Sequence, residues 1–418
     1  GGELRGAVPG GGCGGVGDGF RHEEVRSVKL SSLSIRNYRA ISSLDLSFEA
    51  RPGRVRPVTV LAGPNGCGKT SVLFGVVQTL RLAMQYRTDD VPGPSEFDIH
   101  LPAPMIGWSS KPPEASVELS LVFEQSELEA IPQVFRDTAD PQRETRPGLA
   151  DLGDGNVVVK WVYPPPRRRD GTPNPDNHLS ACAPRDALPW LLGRAKAIRG
   201  WRERKLQDPT LVDRIGGLRI FPQDRNLRER VVGAADFPLG GRSLPGDADA
   251  LGEEAVTRGA SASSVADILK YLWEYANARG EDLPPDRNWD QRIRDLFRRI
   301  CAPKEYAGYL FRGDELHGAP CFREGDTIYP LHMAASGEQV IIEYVTRLTY
   351  PTPLNNSIIL IDEPEMHLHP VWLRRLYRAL PQLGDNNQFI LTTHSPELRS
   401  LALQDGALVE MGELGGEE

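Results

Sequence analysis

The stretch VTVLAGPNGCGKTSVLFGVVQTLRLAM, Val58 to Met84, constrains the fold of this chain more than any other. An apolar run that reads as a buried strand leads into a Gly-rich turn, and the turn leads into an apolar-rich helix. The turn, Gly63-Pro64-Asn65-Gly66-Cys67-Gly68-Lys69-Thr70, fits the pattern G-x4-G-K-[ST] with the required strand before it and helix after it. Successive backbone N–H groups, through Ser71 in the first helical turn, form a cradle for phosphate oxygens at the positive end of the helix. Glycines are needed where the backbone must come close to the phosphates. Lys69 is expected to reach the outer phosphates, and the Thr70 hydroxyl is expected to ligate Mg²⁺.

A second element lies far downstream. In SIILIDEPEMHLHP, Ser357 to Pro370, the run Ile358 to Ile361 reads as a parallel strand buried on both faces. It ends in Asp362 and Glu363, at the edge where α/β sheets bind ligands. Adjacent strand residues point to opposite sides, so the two carboxylates have different tasks. Asp362 suits a Mg²⁺-associated role, and Glu363 suits polarising a water for in-line attack on a terminal phosphate. A further strand, QFILTTHS (Gln388 to Ser395), ends near His394, placed to hydrogen-bond the same phosphate.

Between these elements lies MAASGEQVIIEY, Met333 to Tyr344. Ser336 reads as a helix N-cap with Gln339 as its capping-box partner. Such a helix start also offers free N–H groups and a favourable dipole to an anion.

The order of phosphate loop, SGEQ, acidic strand and histidine strand resembles the ABC-type ATPase heads, and within them the RecF, SMC and OLD-like branch. IRNYRAISSLDLSF resembles that branch's opening strands, and DEPEMHLHP its acidic motif. The resemblance covers roughly 28–125 and 305–400. It implies an α/β, ABC-ATPase-type P-loop core, a mixed sheet flanked by helices, with a helical or irregular insertion. It also implies a head that binds ATP with Mg²⁺, hydrolyses ATP to ADP and phosphate, and pairs head-to-head as a homodimer around two nucleotides. In that arrangement Ser336, Gly337, Glu338 and Gln339 would grip the partner's ATP, and His394 would act as a switch histidine. Asn37 and Arg39, with Arg36, match the family's nucleotide-proximal segment. Gln125 is the first candidate for the glutamine that couples the metal to the second lobe, with Gln223 competing.

The remaining sequence bounds the function. No apolar run approaches the roughly 18 residues of a membrane span. Five dispersed cysteines, Cys13, Cys67, Cys182, Cys301 and Cys321, read as free thiols of a reducing compartment, which makes the expected location cytoplasmic. The net charge of −8 gives no global footprint for nucleic acid, although PPPRRRDG (Pro164 to Gly171) and RAKAIRGWRERK (Arg194 to Lys205) are local basic stretches. Val265, Ile268, Leu269 and Leu272, and likewise Trp289, Ile293, Leu296, Phe297 and Ile300, share helical faces that read as core.

The expected organisation is a Gly-rich disordered extension (1–27), a lobe with the phosphate loop (28–125) and an inserted arm (126–215). A strand, linker and helical subdomain (216–304), a second lobe (305–408) and a tail (409–418) follow. By resemblance, the leading role is control of a separate effector, a nuclease or toxin, in prokaryotic anti-phage defence. The alternative is a RecF-like, ATP-dependent DNA-binding repair protein. A non-hydrolysing scaffold is disfavoured by Glu363, and a transporter ATPase by the SGEQ signature.

Overall fold

The strands of this protein sort into sheets by their burial patterns. The computed structural model describes residues 29–84, 114–138, 149, 152–153, 155–163, 179–184, 187–202, 205–208, 210–223, 264–280, 283, 288–311, 318–349 and 355–412. The Gly-rich extension, the basic stretch 164–171 and the linker 235–262 lie outside the described residues.

Four strands buried along their whole length, with the more exposed Leu408–Glu410 at one edge, make a five-stranded parallel sheet. Its order is Leu408–Glu410, Val58–Ala62, Gln388–Thr393, Ile358–Ile361, Leu218–Phe221. Ile358–Ile361 and Leu218–Phe221 show no exposed position, as a sheet covered on both faces requires. Strands such as Lys29–Tyr38 and Ala115–Val122, with part-buried positions set between buried ones, belong to an antiparallel sheet in the order Ile41–Ser47, Lys29–Tyr38, Ala115–Val122, Asn156–Tyr163, Leu179–Ala183. The expected mixing of parallel and antiparallel strands is therefore realised as two separate sheets. A three-stranded antiparallel sheet (Glu305–Phe311, Gly318–Glu324, Thr327–Pro330) completes the larger ones.

Two cores lie on opposite faces of the parallel sheet. Ile358 and Leu360 join the core that holds the phosphate-loop helix (Lys69–Met84) and the antiparallel sheet. Ile359 and Ile361 join a second core, formed with the helices Val265–Arg279, Trp289–Cys301 and Ser336–Thr349. The alternation of strand side chains thus sets the sidedness of the residues that follow. The apolar faces expected in the helices at 265 and 289 are buried here, apart from the half-buried Trp289 and Leu296.

The described parts of residues 126–215 pack onto the first lobe. Asn156–Tyr163 pairs along its full length with Ala115–Val122, and the helices Gln125–Thr138 and Leu188–Arg202 pack with the phosphate-loop helix in one core. The Pro-rich segments in this stretch disguise strands that continue the lobe's own sheet. Arg194, the first residue of the second basic stretch, is fully buried and pairs with the equally buried Glu127 at 2.6 Å. Its role is structural, because a buried guanidinium and carboxylate tolerate desolvation only as a pair. Replacing Arg194 with Met should therefore lower the unfolding free energy by about 3–5 kcal/mol. Breaking the exposed Arg36–Asp45 pair should cost less than about 1 kcal/mol. Urea midpoints of the two variants provide the comparison, and equal midpoints would contradict this account of Arg194.

Candidate nucleotide site

The phosphate loop joins the end of its strand to the start of its helix. Gly66 and Gly68 take φ of +81° and +89°, a region that residues with a Cβ rarely adopt. A Cβ on Gly63 would come within 2.5 Å of the Met411 carbonyl oxygen, so glycine there answers crowding. The first bond in this part of the helix is Val72 N–H to Gly68 O (3.0 Å), which leaves the N–H groups of Gly68 to Ser71 ahead of it. Pro64, Asn65 and Gly66 are exposed, while Cys67 and Ser71 are buried against the helix.

Lys69 is 5% exposed, and its ammonium lies inside the loop. It donates to the carbonyls of Gly63 and Pro64 at 2.9 Å each. The loop therefore concentrates a cation, four helix-start amides and permissive glycines at one point, a set suited to polyphosphate. The Thr70 hydroxyl lies 3.1 Å from both carboxylate oxygens of Asp362, and Thr392 donates to one of them. A hydroxyl and a carboxylate in this relation fit Mg²⁺, which takes oxygen ligands and shares them with phosphates. Asp362 faces Thr70 because it continues the side of Leu360, toward the phosphate-loop helix.

Glu363 is the strained residue of the site, with φ of +46°. Its N–H donates to Thr392 Oγ1 at 3.1 Å, which fixes the turn. Its carboxylate accepts from Gln223 Nε2 at 2.7 Å and lies 3.1 Å from His394 Nε2. The other imidazole nitrogen of His394, Nδ1, lies 3.4 Å from the Lys69 ammonium. A proton on Nε2 satisfies both contacts, with the ring donating to Glu363 and accepting from Lys69. The pKa of Glu363 is raised above its ordinary value, chiefly by burial. His394 and Lys69 pull it back, while the Asp362 and Glu365 carboxylates push it further up. A carboxylate tuned upward in this way is a better proton acceptor than an ordinary one.

Gln223 stands at the site and Gln125 does not. Leu218–Phe221 and Ile358–Ile361 run parallel with Phe221 level with Ile361, so the residues two beyond each strand end meet. Gln125 is exposed at the start of its helix, with its amide 3.2 Å from Glu129. The expected metal-coupling place of Gln125 is thereby corrected; the sequence signal for Gln223 was its position just past an apolar strand. Gln223→Ala should lower turnover roughly tenfold or more, and Gln125→Ala should leave it unchanged, in a steady-state phosphate-release assay. Equal loss in both variants would count against this placement.

The opening hairpin is only partly drawn toward the site. Asn37, near the end of the first strand, and Arg39, in the turn that follows it, both have positive φ. The Arg39 guanidinium sits 4.3 Å over the ring of Phe74, on the phosphate-loop helix. Asn37 donates to the Glu114 carbonyl, and Arg36 is held by Asp45.

The signature turn belongs to the other core, and its capping differs from expectation. The bond from Gln339 N–H to Ala335 O makes Ala335, not Ser336, the cap residue. Glu338 then serves as the back-reaching acid, accepting from the Ala335 N–H at 2.8 Å. Glu338 and Gln339 are buried, and Gln339 donates to the carbonyls of Leu331 and Ala334. These two side chains brace the turn from inside, which corrects their expected direct grip on a nucleotide. Ser336 is exposed in the first helical position. Beside it, a Cβ on Gly337 would meet the His367 carbonyl at 2.8 Å and the Trp372 ring at 3.3 Å. The turn is therefore packed directly under the segment that follows the acidic strand.

Glu365 had no recognised role in the sequence. One of its carboxylate oxygens accepts from the Thr393 hydroxyl and from the N–H groups of His394 and Ser395, at 2.7, 2.7 and 3.0 Å. It ties the segment after the acidic strand to the histidine.

Residues 270–400 match the family described as "AAA domain, putative AbiEii toxin, Type IV TA system". That match spans the SGEQ turn, the acidic strand and the histidine strand, and the phosphate loop and the Gln223 strand join them in one α/β P-loop fold. The order of these parts resembles that of ABC-type ATPase heads of the RecF, SMC and OLD-like branch. The head is 38% identical over 72 residues to the "Retron Vc95 probable ATPase" of Vibrio cholerae serotype O1 biovar El Tor. It is 38% identical over 74 residues to the "Retron Ec83 probable ATPase" of Escherichia coli. Each match covers 15% of this chain and only 14% of the relative's length. An Smc head with an extended coiled coil, bound to the C-terminal domain of ScpA derived from Pyrococcus furiosus, aligns at a TM-score of 0.44 and 13% identity. That alignment covers 93% of this chain and 94% of the other. The resemblance rests on strand order and motif placement and takes nothing from that overlay.

Among the described residues, no helix is long and apolar enough to cross a membrane, and Cys67, Cys301 and Cys321 are free.

Proposed function

We propose that this head hydrolyses ATP to ADP and phosphate between two copies of itself, and that the cycle controls a separate effector protein. The observation that carries the reading is the Glu363 carboxylate, buried, raised in pKa and held by Gln223 and His394 beside the Asp362–Thr70 pair. Lys69 and the loop amides bind the β- and γ-phosphates. Thr70 and Asp362 hold Mg²⁺, which when bound offsets the negative charge of the phosphate oxygens. Glu363 takes a proton from the attacking water, and His394 orients Glu363 and senses the γ-phosphate. In a head-to-head pair the γ-phosphate takes a donor from the second copy. The exposed Ser336, at a helix start, is suited to supply it to a second copy.

The family description names a toxin and a toxin–antitoxin system, and two relatives are named as retron probable ATPases. Those names support an effector, such as a nuclease or toxin, and a place in genome defence. A RecF-like DNA clamp is the competing role, and the burial of Arg194 removes part of its motivation.

The test is a titration of the purified protein in Mg-ATP, followed by affinity recovery from its native host. Specific turnover should rise with protein concentration until the heads are paired. A constant specific activity would exclude a shared site. A stoichiometric protein that remains bound after nuclease treatment would support effector control, whereas recovery that depends on DNA would favour the clamp.

A further inference from the structure

The signature turn of this head carries a carboxylate in an electrostatically awkward place. Glu338 is the third residue of the helix that Ser336 opens. An acid in the first turn stabilises a helix, because it faces the positive end of the dipole. The same acid cancels part of the field that an incoming phosphate would feel, and it repels that phosphate directly. A helix start meant to receive a partner's γ-phosphate therefore needs this charge neutralised.

The fold supplies the neutralising groups. The Glu338 carboxylate is 1% exposed and accepts from the Lys304 ammonium, from the Tyr329 hydroxyl at 2.8 Å and from the Ala335 N–H at 2.8 Å. Lys304 also meets Glu324 at 3.2 Å. Burial lowers the pKa of Lys304, but hydrogen bonds to Glu338 and Glu324 outweigh it, and the ammonium is held well above its ordinary value. Burial also pushes the Tyr329 hydroxyl up to about 12, with its bond to Glu338 adding to the effect, so it remains a donor.

Three segments converge to build this arrangement: the turn after helix Trp289–Cys301, and the strands Gly318–Glu324 and Thr327–Pro330. Arg375, from the helix Pro370–Ala379 that follows the acidic motif, donates to the carbonyls of Ile300 and Ala302 just before Lys304.

We infer that Lys304, assisted by Tyr329, is a positioning residue for the signature turn: it neutralises Glu338 inside the fold, so that the Ser336 helix start can accept the γ-phosphate of a second copy. This rests on the head-to-head reading above. It also explains why a signature with Glu at this position can work at all. The acid shapes the turn by binding the Ala335 N–H, and the lysine removes its charge from the interface.

The experiment uses the full chain in a Glu363→Gln background, with the dimerisation constant measured in Mg-ATP by sedimentation velocity. Monomer affinity is measured separately with a fluorescent ATP analogue. Lys304→Met should weaken dimerisation roughly tenfold or more while monomer affinity for the analogue stays unchanged. Adding Glu338→Gln to Lys304→Met should bring dimerisation back to within about threefold of the parent. Glu338→Gln alone, which keeps the lysine, should dimerise at least as tightly as the parent. It provides the decisive measurement should Lys304→Met fail to fold.

Lys304→Met dimerising as tightly as the parent would overturn the proposal, and so would loss of dimerisation in folded Glu338→Gln. Failure of the parent itself to pair in Mg-ATP would instead remove the head-to-head reading and the proposal with it. The two failures are therefore distinguishable.

Discussion

Glu363→Gln should bind Mg-ATP as tightly as the unaltered head and hydrolyse it about 10²–10⁴ times more slowly. The amide keeps the size of the side chain and can still meet Gln223 and His394 through one flipped orientation, so the pocket is preserved. It loses the basicity that burial raises in the carboxylate. It also removes a negative charge next to Asp362, which favours the triphosphate-bound state. The protein should therefore accumulate as an ATP-bound dimer, seen as a doubling of mass in Mg-ATP and not in Mg-ADP. Single-turnover phosphate release gives the rate, and a rate within a factor of a few of the parent would end the assignment of Glu363 as proton acceptor.

Ser336→Arg should abolish turnover for a different reason. Ser336 is exposed, and no hydrogen bond within the fold depends on its hydroxyl among the described contacts, so stability should be almost unchanged. An arginine in the first helical turn adds bulk and a misplaced cation where the proposed second copy presents its nucleotide. Monomer affinity for ATP should be retained, because Lys69, Thr70 and the loop amides are untouched. Mixing this variant with Lys69→Ala provides a sharper check. Each has the half the other lacks, so the mixed dimer contains one complete composite site and should regain part of the lost activity. An inactive mixture, in which dimers nevertheless form, would mean that Ser336 does not act across the interface.

Much of the site was legible because its parts are local. The phosphate loop needs a strand, specific glycines and a helix start within a dozen residues, and all of these are contiguous in Val58–Ser71. The acidic strand was legible for the same reason: four buried aliphatic residues followed by Asp362 and Glu363 state both the strand and its ligand edge. Alternation also placed the two carboxylates on opposite sides of the strand, and Leu360 and Ile361 before them join opposite cores.

Other features required the folded chain. Gln125 and Gln223 both follow short apolar runs, and only the parallel register of Phe221 with Ile361 brings Gln223 to Glu363. Residues 126–215 read as an arm because turn-rich segments surround their strand, yet that strand pairs with Ala115–Val122. The cap of the SGEQ helix was expected one residue too late, at Ser336, and the fold places it at Ala335. Lys304 and Tyr329, 34 and nine residues before Glu338, settle how that acid is used.

The sequence by itself determined the groups of the candidate site: a Gly-rich loop at a helix start, a carboxylate pair and a histidine, each encoded by short-range backbone requirements. The tertiary structure alone decided which glutamine joins them, which signature side chains face inward, and where the charge of Glu338 is neutralised. Those outcomes depend on strand register and on contacts between residues far apart in the chain, and such contacts leave no local pattern in the sequence.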